Sequence, residues 1–248
     1  MRYRMIPFRY FNAYMNMALD ETIMEGIRAG TTPPTIRLYG WKPSAVSIGY
    51  FQGLEYEVNL EACRRQGVDV VRRITGGGAV YHDCDGEITY SLLAPLVLFP
   101  DDLIQSYRLI CGYLIEALQL LGIEGSFQPI NDIIVDGRKI SGNAQARKQG
   151  VLLQHGTILY RVDVEKMFTL LTVSEEKISD KLIRSVKKRV TSISDILPVS
   201  FQEVVTALET AFRNNLETEY GDYTDEELKR ARQLAEQKYS THSWIAMR

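Results

Sequence analysis

The sequence predicts an α+β fold with helices packed against a largely antiparallel sheet. Three observations predict it. Runs rich in β-branched and aromatic residues, separated by turn signals, dominate the middle of the chain. Helical periodicity dominates from about residue 162 to residue 248. No Pro/Ser-rich linker separates the two regions, so helices pack on the same sheet within one domain over residues 1–248.

The elements follow in order. Asn16 to Ile27 reads as a helix, with Asn16 as its cap and Met17, Leu19, Ile23, Met24 and Ile27 forming its apolar face. TIRLYGW and AVSIGYF are strands on either side of a Lys-Pro-Ser turn. Leu60 to Gln66 is a short helix, VDVVRRI a strand and EITYSLLA another strand. Leu103 to Leu121 has helical periodicity and stops at Gly122. NDIIVDGRKISG is a hairpin, because Asp136-Gly137 is a dipeptide favoured where both turn residues need positive φ. A further strand follows Gly150. Val164–Leu171, Ser174–Arg184, Phe201–Leu216 and Thr224–Tyr239 read as helices, the last opened by a Thr224/Glu227 capping box.

Composition narrows the function. At 45% hydrophobic and 24% charged residues, the 248-residue chain has the make-up of a soluble globular protein. A net charge of −2 argues against a general nucleic-acid binder. The N-terminal segment lacks the apolar core of a secretory signal, and SLLAPLVLFP is too short to span a bilayer. Cys63, Cys84 and Cys111 have no metal-like spacing and read as reduced thiols. A cytoplasmic protein without nucleic-acid or membrane partners is expected.

RRITGGGAVYHD, Arg72 to Asp83, is the segment richest in chemistry. Consecutive glycines let backbone N–H groups approach an anion, and Arg72 and Arg73 offer charge-assisted bonds to phosphate or carboxylate. Neither the dinucleotide fingerprint nor the P-loop spacing is present. His82 and Asp83 could orient one another, although a lone histidine is more often structural. In the hairpin, Lys139 is either an edge-blunting surface residue or a mobile point charge in a binding site.

RRITGGGAVYHD, NDIIVDGRKISGNAQ, LLQHGTILY and SVKKRVTSISDIL, in this order and joined by NMALDE and SIGYFQ, resemble the lipoate–protein ligases and their octanoyltransferase relatives. The resemblance implies the biotin/lipoate protein ligase fold, a mixed, largely antiparallel central sheet flanked by helices, and fits the single catalytic domain read above. It implies activation of lipoate by ATP and Mg²⁺ to lipoyl-AMP. Transfer then follows to a lysine of lipoyl domains, those of 2-oxoacid dehydrogenase E2 subunits and the glycine cleavage H protein. Carried over by residue, Arg73 and the segment Gly76, Gly77, Gly78, Ala79, Val80 and Tyr81 would hold the acyl-adenylate. Lys139 would be the catalytic clamp on carbonyl and phosphate. Asn131 and Asp132 would lie near the nucleotide, with Asp132 on the metal. Ser141, Gly142, His155 and Gly156 would complete the pocket. Val46, Ile48, Tyr50 and Val80 are candidates for an apolar acyl tunnel and equally for the core.

The pattern departs from the family in two places. Octanoyltransferases of similar length use a cysteine in the loop before the NDIIV strand, and the loop GIEGSFQPI has none. Many ligases carry a C-terminal accessory domain, for which the sequence ending at YSTHSWIAMR leaves no room. These features give a ligase catalytic subunit with a separate accessory-domain protein as the expectation. One alternative is octanoyl transfer from acyl carrier protein to a lipoyl domain. Another is a non-catalytic lipoate or acyl-adenylate binding module. The basic cluster Lys181, Arg184, Lys187, Lys188 and Arg189 is either a docking patch for an acidic lipoyl domain or a solvated helix face.

Overall fold

A computed structural model describes residues 1–172 and 188–248. Its main sheet has eight strands. From one edge to the other they are β11 (Thr218–Tyr220), β1 (Tyr3–Phe11), β2 (Thr35–Trp41), β6 (Glu87–Pro95), β10 (Val151–Leu159), β9 (Arg138–Lys148), β8 (Asp132–Val135) and β7 (Ser126–Gln128). β1 runs parallel to both β2 and β11, and the other pairings are antiparallel. A second, three-stranded sheet has β3 (Ala45–Ile48) between β4 (Asp69–Arg72) and β5 (Val80–His82). The expected mixed, largely antiparallel architecture is therefore present.

Strand alternation divides the core. In β2, Ile36 and Leu38 point to one side of the sheet and join Tyr90, Leu92 and Leu152 under α4 (Leu103–Leu120) and α6 (Phe201–Asn215). Tyr39 and Trp41 point to the other side, where Leu93 and Leu153 pack against α1 (Ala13–Ala29) and α7 (Asp225–Leu234). β2 is buried along its whole length, so both of its faces require apolar or fully paired side chains. Val46 and Ile48 lie in a third cluster with Ala62, Cys63 of α3 (Leu60–Arg65) and Leu170 of α5 (Val164–Leu170). Each such buried aliphatic side chain contributes roughly 1.5–3 kcal/mol relative to exposure.

Several boundaries differ from expectation for identifiable reasons. Asn12, not Asn16, caps α1, accepting from the Met15 N–H at 2.9 Å. Asn16 is instead buried, donating to the carbonyls of Phe11 and Gly40 and accepting from Arg37. The Thr224/Glu227 capping box forms as expected, but α7 ends at Leu234 and a π-turn over Ala235–Tyr239 completes the run. Asp136 and Gly137 adopt φ of 48° and 73°, as the hairpin requires. β1 was not foreseen. The expected helix Ser174–Arg184 and the basic residues Lys181, Arg184 and Lys187 lie outside the described residues. No helix among the described residues is long and apolar enough to cross a membrane.

Candidate active site

A cavity of about 340 Å³ lies between the two sheets. β3, β5 and the glycine segment before β5 wall one side; β9 and β10 wall the other. Met17, Tyr39, Trp41, Leu159, Val162 and Met167 make much of its surface apolar. Its volume is at the low end for small-molecule sites.

Of the expected site residues, Arg73, Gly77, Gly78, Ala79, Val80, Tyr81, Asn131, Lys139, Gly142, His155 and Gly156 all line this cavity. Three stand just behind it. Gly76 belongs to the same turn, Asp132 pairs with Lys139, and Ser141 is buried and accepts from the Asn143 side chain. Among the tunnel candidates only Val80 lines the cavity; Val46 and Ile48 are core, and Tyr50 packs on Phe51 and Trp244.

The arginine pair organises the glycine loop. Arg72 donates to the carbonyls of Gly49, Tyr50, Gln52, Trp244 and Ile245. Arg73 donates to the Ser47 carbonyl at 3.1 Å and hydroxyl at 3.0 Å, and to the carbonyls of Gly76 at 3.0 Å and Gly78 at 2.7 Å. Burial holds its guanidinium below the usual arginine range, at about 10, so it remains charged at neutral pH. Both guanidiniums point mainly at carbonyls of their own fold. Both arginines build the loop, and Arg73, expected to hold the acyl-adenylate, also lines the cavity. Gly77 has a φ of 101°, and a β-carbon there would stand 2.9 Å from the Arg73 guanidinium, so the turn that closes on Arg73 requires glycine.

Lys139 is held by its backbone, and its ammonium is tethered by Asp132. Its N–H donates to the Arg189 carbonyl at 2.7 Å, and its carbonyl accepts from the Thr191 N–H at 2.9 Å. Its Nζ lies 2.7 Å from Asp132 Oδ1, with the two side chains 42% and 31% exposed. A β-carbon at Gly142 would meet the Lys139 Cε and Nζ at 2.8 Å, so glycine makes room for the ammonium. Lys139 therefore presents a tethered cation to the cavity rather than to the sheet edge.

Two buried histidines sit in matched arrangements. His155 bonds to Thr75 Oγ1 through Nε2 at 2.7 Å and to Asp20 Oδ2 through Nδ1 at 3.1 Å. Burial pushes its pKa down, against the pull of Asp20, so it is neutral at pH 7. His82 bonds to Ser47 Oγ through Nε2 at 2.7 Å and to Glu87 Oε1 through Nδ1 at 2.6 Å. Its expected partner Asp83 instead accepts from Tyr81. Ser47, Glu87, Asp20 and Thr75 were not singled out from the sequence, although Ser47 lies in SIGYFQ and Asp20 in NMALDE.

None of the three cysteines lines the cavity. Burial raises the Cys63 thiol to about 11 and the Cys111 thiol to about 12, so neither forms a thiolate near neutrality. Cys84 is half-buried between Asp83 and Asp85.

The lipoyl protein ligase A/B catalytic domain family matches residues 12–213. The octanoyltransferase LipM of Brevibacillus brevis is 34% identical, over 98% of this chain and 98% of its own length. That of Geobacillus kaustophilus is 35% identical, over 98% and 97%. Among solved structures, the bipartite lipoate protein ligase of Thermoplasma acidophilum, described with its E2 lipoyl domain, superposes with a TM-score of 0.89. It is 31% identical and covers 99% of this chain and 96% of its own. A lipoate-protein ligase A bound with ATP superposes with a TM-score of 0.84 at 31% identity, covering 99% of each chain.

The near-full-length relatives named octanoyltransferases overturn the expected activity, an ATP-dependent, adenylate-forming ligase. ATP and Mg²⁺ are withdrawn with it. Asp132, expected on the metal, pairs with the Lys139 ammonium at 2.7 Å.

Proposed function

Because the chain belongs to the lipoyl protein ligase A/B catalytic domain family, we propose that it is an octanoyltransferase. It moves an octanoyl group from a carrier-protein thioester to the ε-amine of a lysine on a lipoyl domain. The similarity to octanoyltransferases over nearly the whole chain supports the acyl group and the reaction type. The observation that carries the reading is the cavity itself, where apolar walls and one tethered cation, Lys139, face the same space.

An eight-carbon chain loses water-exposed apolar surface on entering, at roughly 25 cal/mol per Å². Tyr39, Trp41, Leu159 and Met167 provide the apolar contacts. The thioester carbonyl then stays near Lys139, whose ammonium stabilises negative charge on the carbonyl oxygen as the carbon becomes tetrahedral. Asp132 holds that ammonium in place. In the net reaction a C–S bond breaks, a C–N bond forms and a free thiol is released. The acceptor would dock beside Lys139, whose N–H donates to the Arg189 carbonyl. On this reading residues 1–248 act as one catalytic domain, and the expected roles of Asn131, Ser141, Gly142, His155 and Gly156 become those of pocket walls.

The test is octanoylation of a lipoyl domain by the purified chain, followed by intact-protein mass spectrometry. Octanoyl carrier protein is the donor in one arm and free octanoate in another. Modification of the acceptor lysine from the thioester arm is the expected result. An unmodified acceptor in that arm would refute the proposal.

A further inference from the structure

No thiol borders the cavity. A hydroxyl does. Ser47 is buried, borders the cavity, and is bonded to His82, which also borders it. The Glu87 carboxylate accepts from His82 Nδ1, and in the neutral form of the imidazole that leaves Nε2 as the acceptor. Ser47 must then donate to His82 Nε2 at 2.7 Å, while Arg73 donates to Ser47 Oγ at 3.0 Å. Thr89 donates to Glu87 Oε1 at 2.8 Å and itself accepts from the Trp41 indole N–H at 2.8 Å. The imidazole is stacked on Trp41 with ring centroids 4.0 Å apart, which fixes its plane.

We propose that Ser47 carries the octanoyl group covalently, with His82 as its base and Glu87 as the group that orients the imidazole. This rests on the octanoyltransferase reading and supplies its missing nucleophile. Hydroxyl, imidazole and carboxylate in bonded sequence are the arrangement that activates a serine. Three features single out this cluster over the parallel Thr75–His155–Asp20 set. Thr75 does not border the cavity. Asp20 is neutralised by Arg37 at 2.9 Å, whereas no arginine or lysine among the described residues pairs with Glu87, leaving its charge for the imidazolium. Arg73 places a positive charge beside the oxygen that would become an alkoxide.

In the first half-reaction, Ser47 Oγ bonds to the thioester carbonyl carbon and its proton passes to His82 Nε2. The C–S bond breaks, and the departing sulfur takes that proton. In the second, the neutral amine of the acceptor lysine bonds to the ester carbon and gives a proton to His82. The C–O bond breaks and Ser47 regains a proton from His82. The burial of Ser47 limits access of water to the ester between the two steps.

The experiment incubates the full chain with octanoyl carrier protein, with and without lipoyl domain, quenches in acid, and maps adducts by peptide mass spectrometry. An octanoyl adduct on Ser47, stable to neutral hydroxylamine and discharged by the lipoyl domain, is expected. Ser47→Ala abolishes it. Ser47→Cys, which conserves shape, yields an adduct at the same position that hydroxylamine removes. Glu87→Gln presents a donor to Nδ1 and reverses the histidine tautomer, so adduct formation falls by about 10²–10⁴-fold with little change in fold. Transfer to the lipoyl domain without an adduct on Ser47, or undiminished in folded Ser47→Ala, would overturn the inference and leave the octanoyltransferase reading standing. Absence of both adduct and transfer in the wild type would overturn both.

Discussion

Replacing Lys139 with methionine separates catalysis from stability. The Lys139 ammonium meets Asp132 at 2.7 Å, but the two side chains are 42% and 31% exposed. Solvent screening limits such a pair to about 0.2–1 kcal/mol of stability. For a chain of this size that corresponds to a fall in Tm of at most about 2–4 °C. The backbone bonds of residue 139 to Arg189 and Thr191 do not depend on its side chain, so the position keeps its place. The loss of rate is larger. Removing one preorganised donor from a developing oxyanion costs about 100- to 1,000-fold, equivalent to about 2.7–4 kcal/mol in the transition state. The assay is kcat/KM for octanoyl transfer to a lipoyl domain, with a thermal melt on the same sample. A loss below about tenfold with an unchanged Tm would refute the assignment of Lys139 as the carbonyl clamp.

Other consequences follow from the same geometry. Burial lowers the pKa of His155, so stability is complete above its ordinary value of 6.5 and is lost as pH falls from there through the folded value; His155→Gln should flatten that segment of a Tm-against-pH curve, and an unchanged slope would contradict it. Ala144 lines the cavity, so Ala144→Leu should reduce octanoyl transfer while sparing a four-carbon donor; equal losses for both chains would place the acyl group elsewhere. Arg4 is bidentate to Glu227 at 2.7 Å, with side chains 10% and 8% exposed, so Arg4→Met strands a buried carboxylate and should cost about 3 kcal/mol, read as the unfolding midpoint in urea.

Legibility varied with the length scale of the signal. The β8–β9 hairpin was readable because Asp136-Gly137 states its turn locally, and α4 because its apolar face repeats along a capped run. α1 was readable in kind but its start was misplaced, since Asn12 and Asn16 are both competent caps and only tertiary burial decides between them. β1 was missed because YRMIPFRYF mixes arginines with aromatics and its burial does not alternate cleanly. The glycine loop and Lys139 were found as neighbours of one cavity through their motifs. The carbonyl partners of the arginines were not, because a guanidinium that binds a ligand and one that binds carbonyls leave the same letters in a sequence. Ser47 and His82 are 35 positions apart and meet only because β3 pairs antiparallel with β5, a register that no local pattern specifies.

The central claim is thioester-to-amine acyl transfer, and the most direct test counts its products. The purified chain, octanoyl carrier protein and lipoyl domain are mixed with chelator and without nucleotide, and free carrier thiol and octanoylated lysine are measured together. The account predicts one thiol released for each amide formed, at a rate that adding ATP and Mg²⁺ does not change. Amide formation that requires ATP, or none from the thioester, would contradict it.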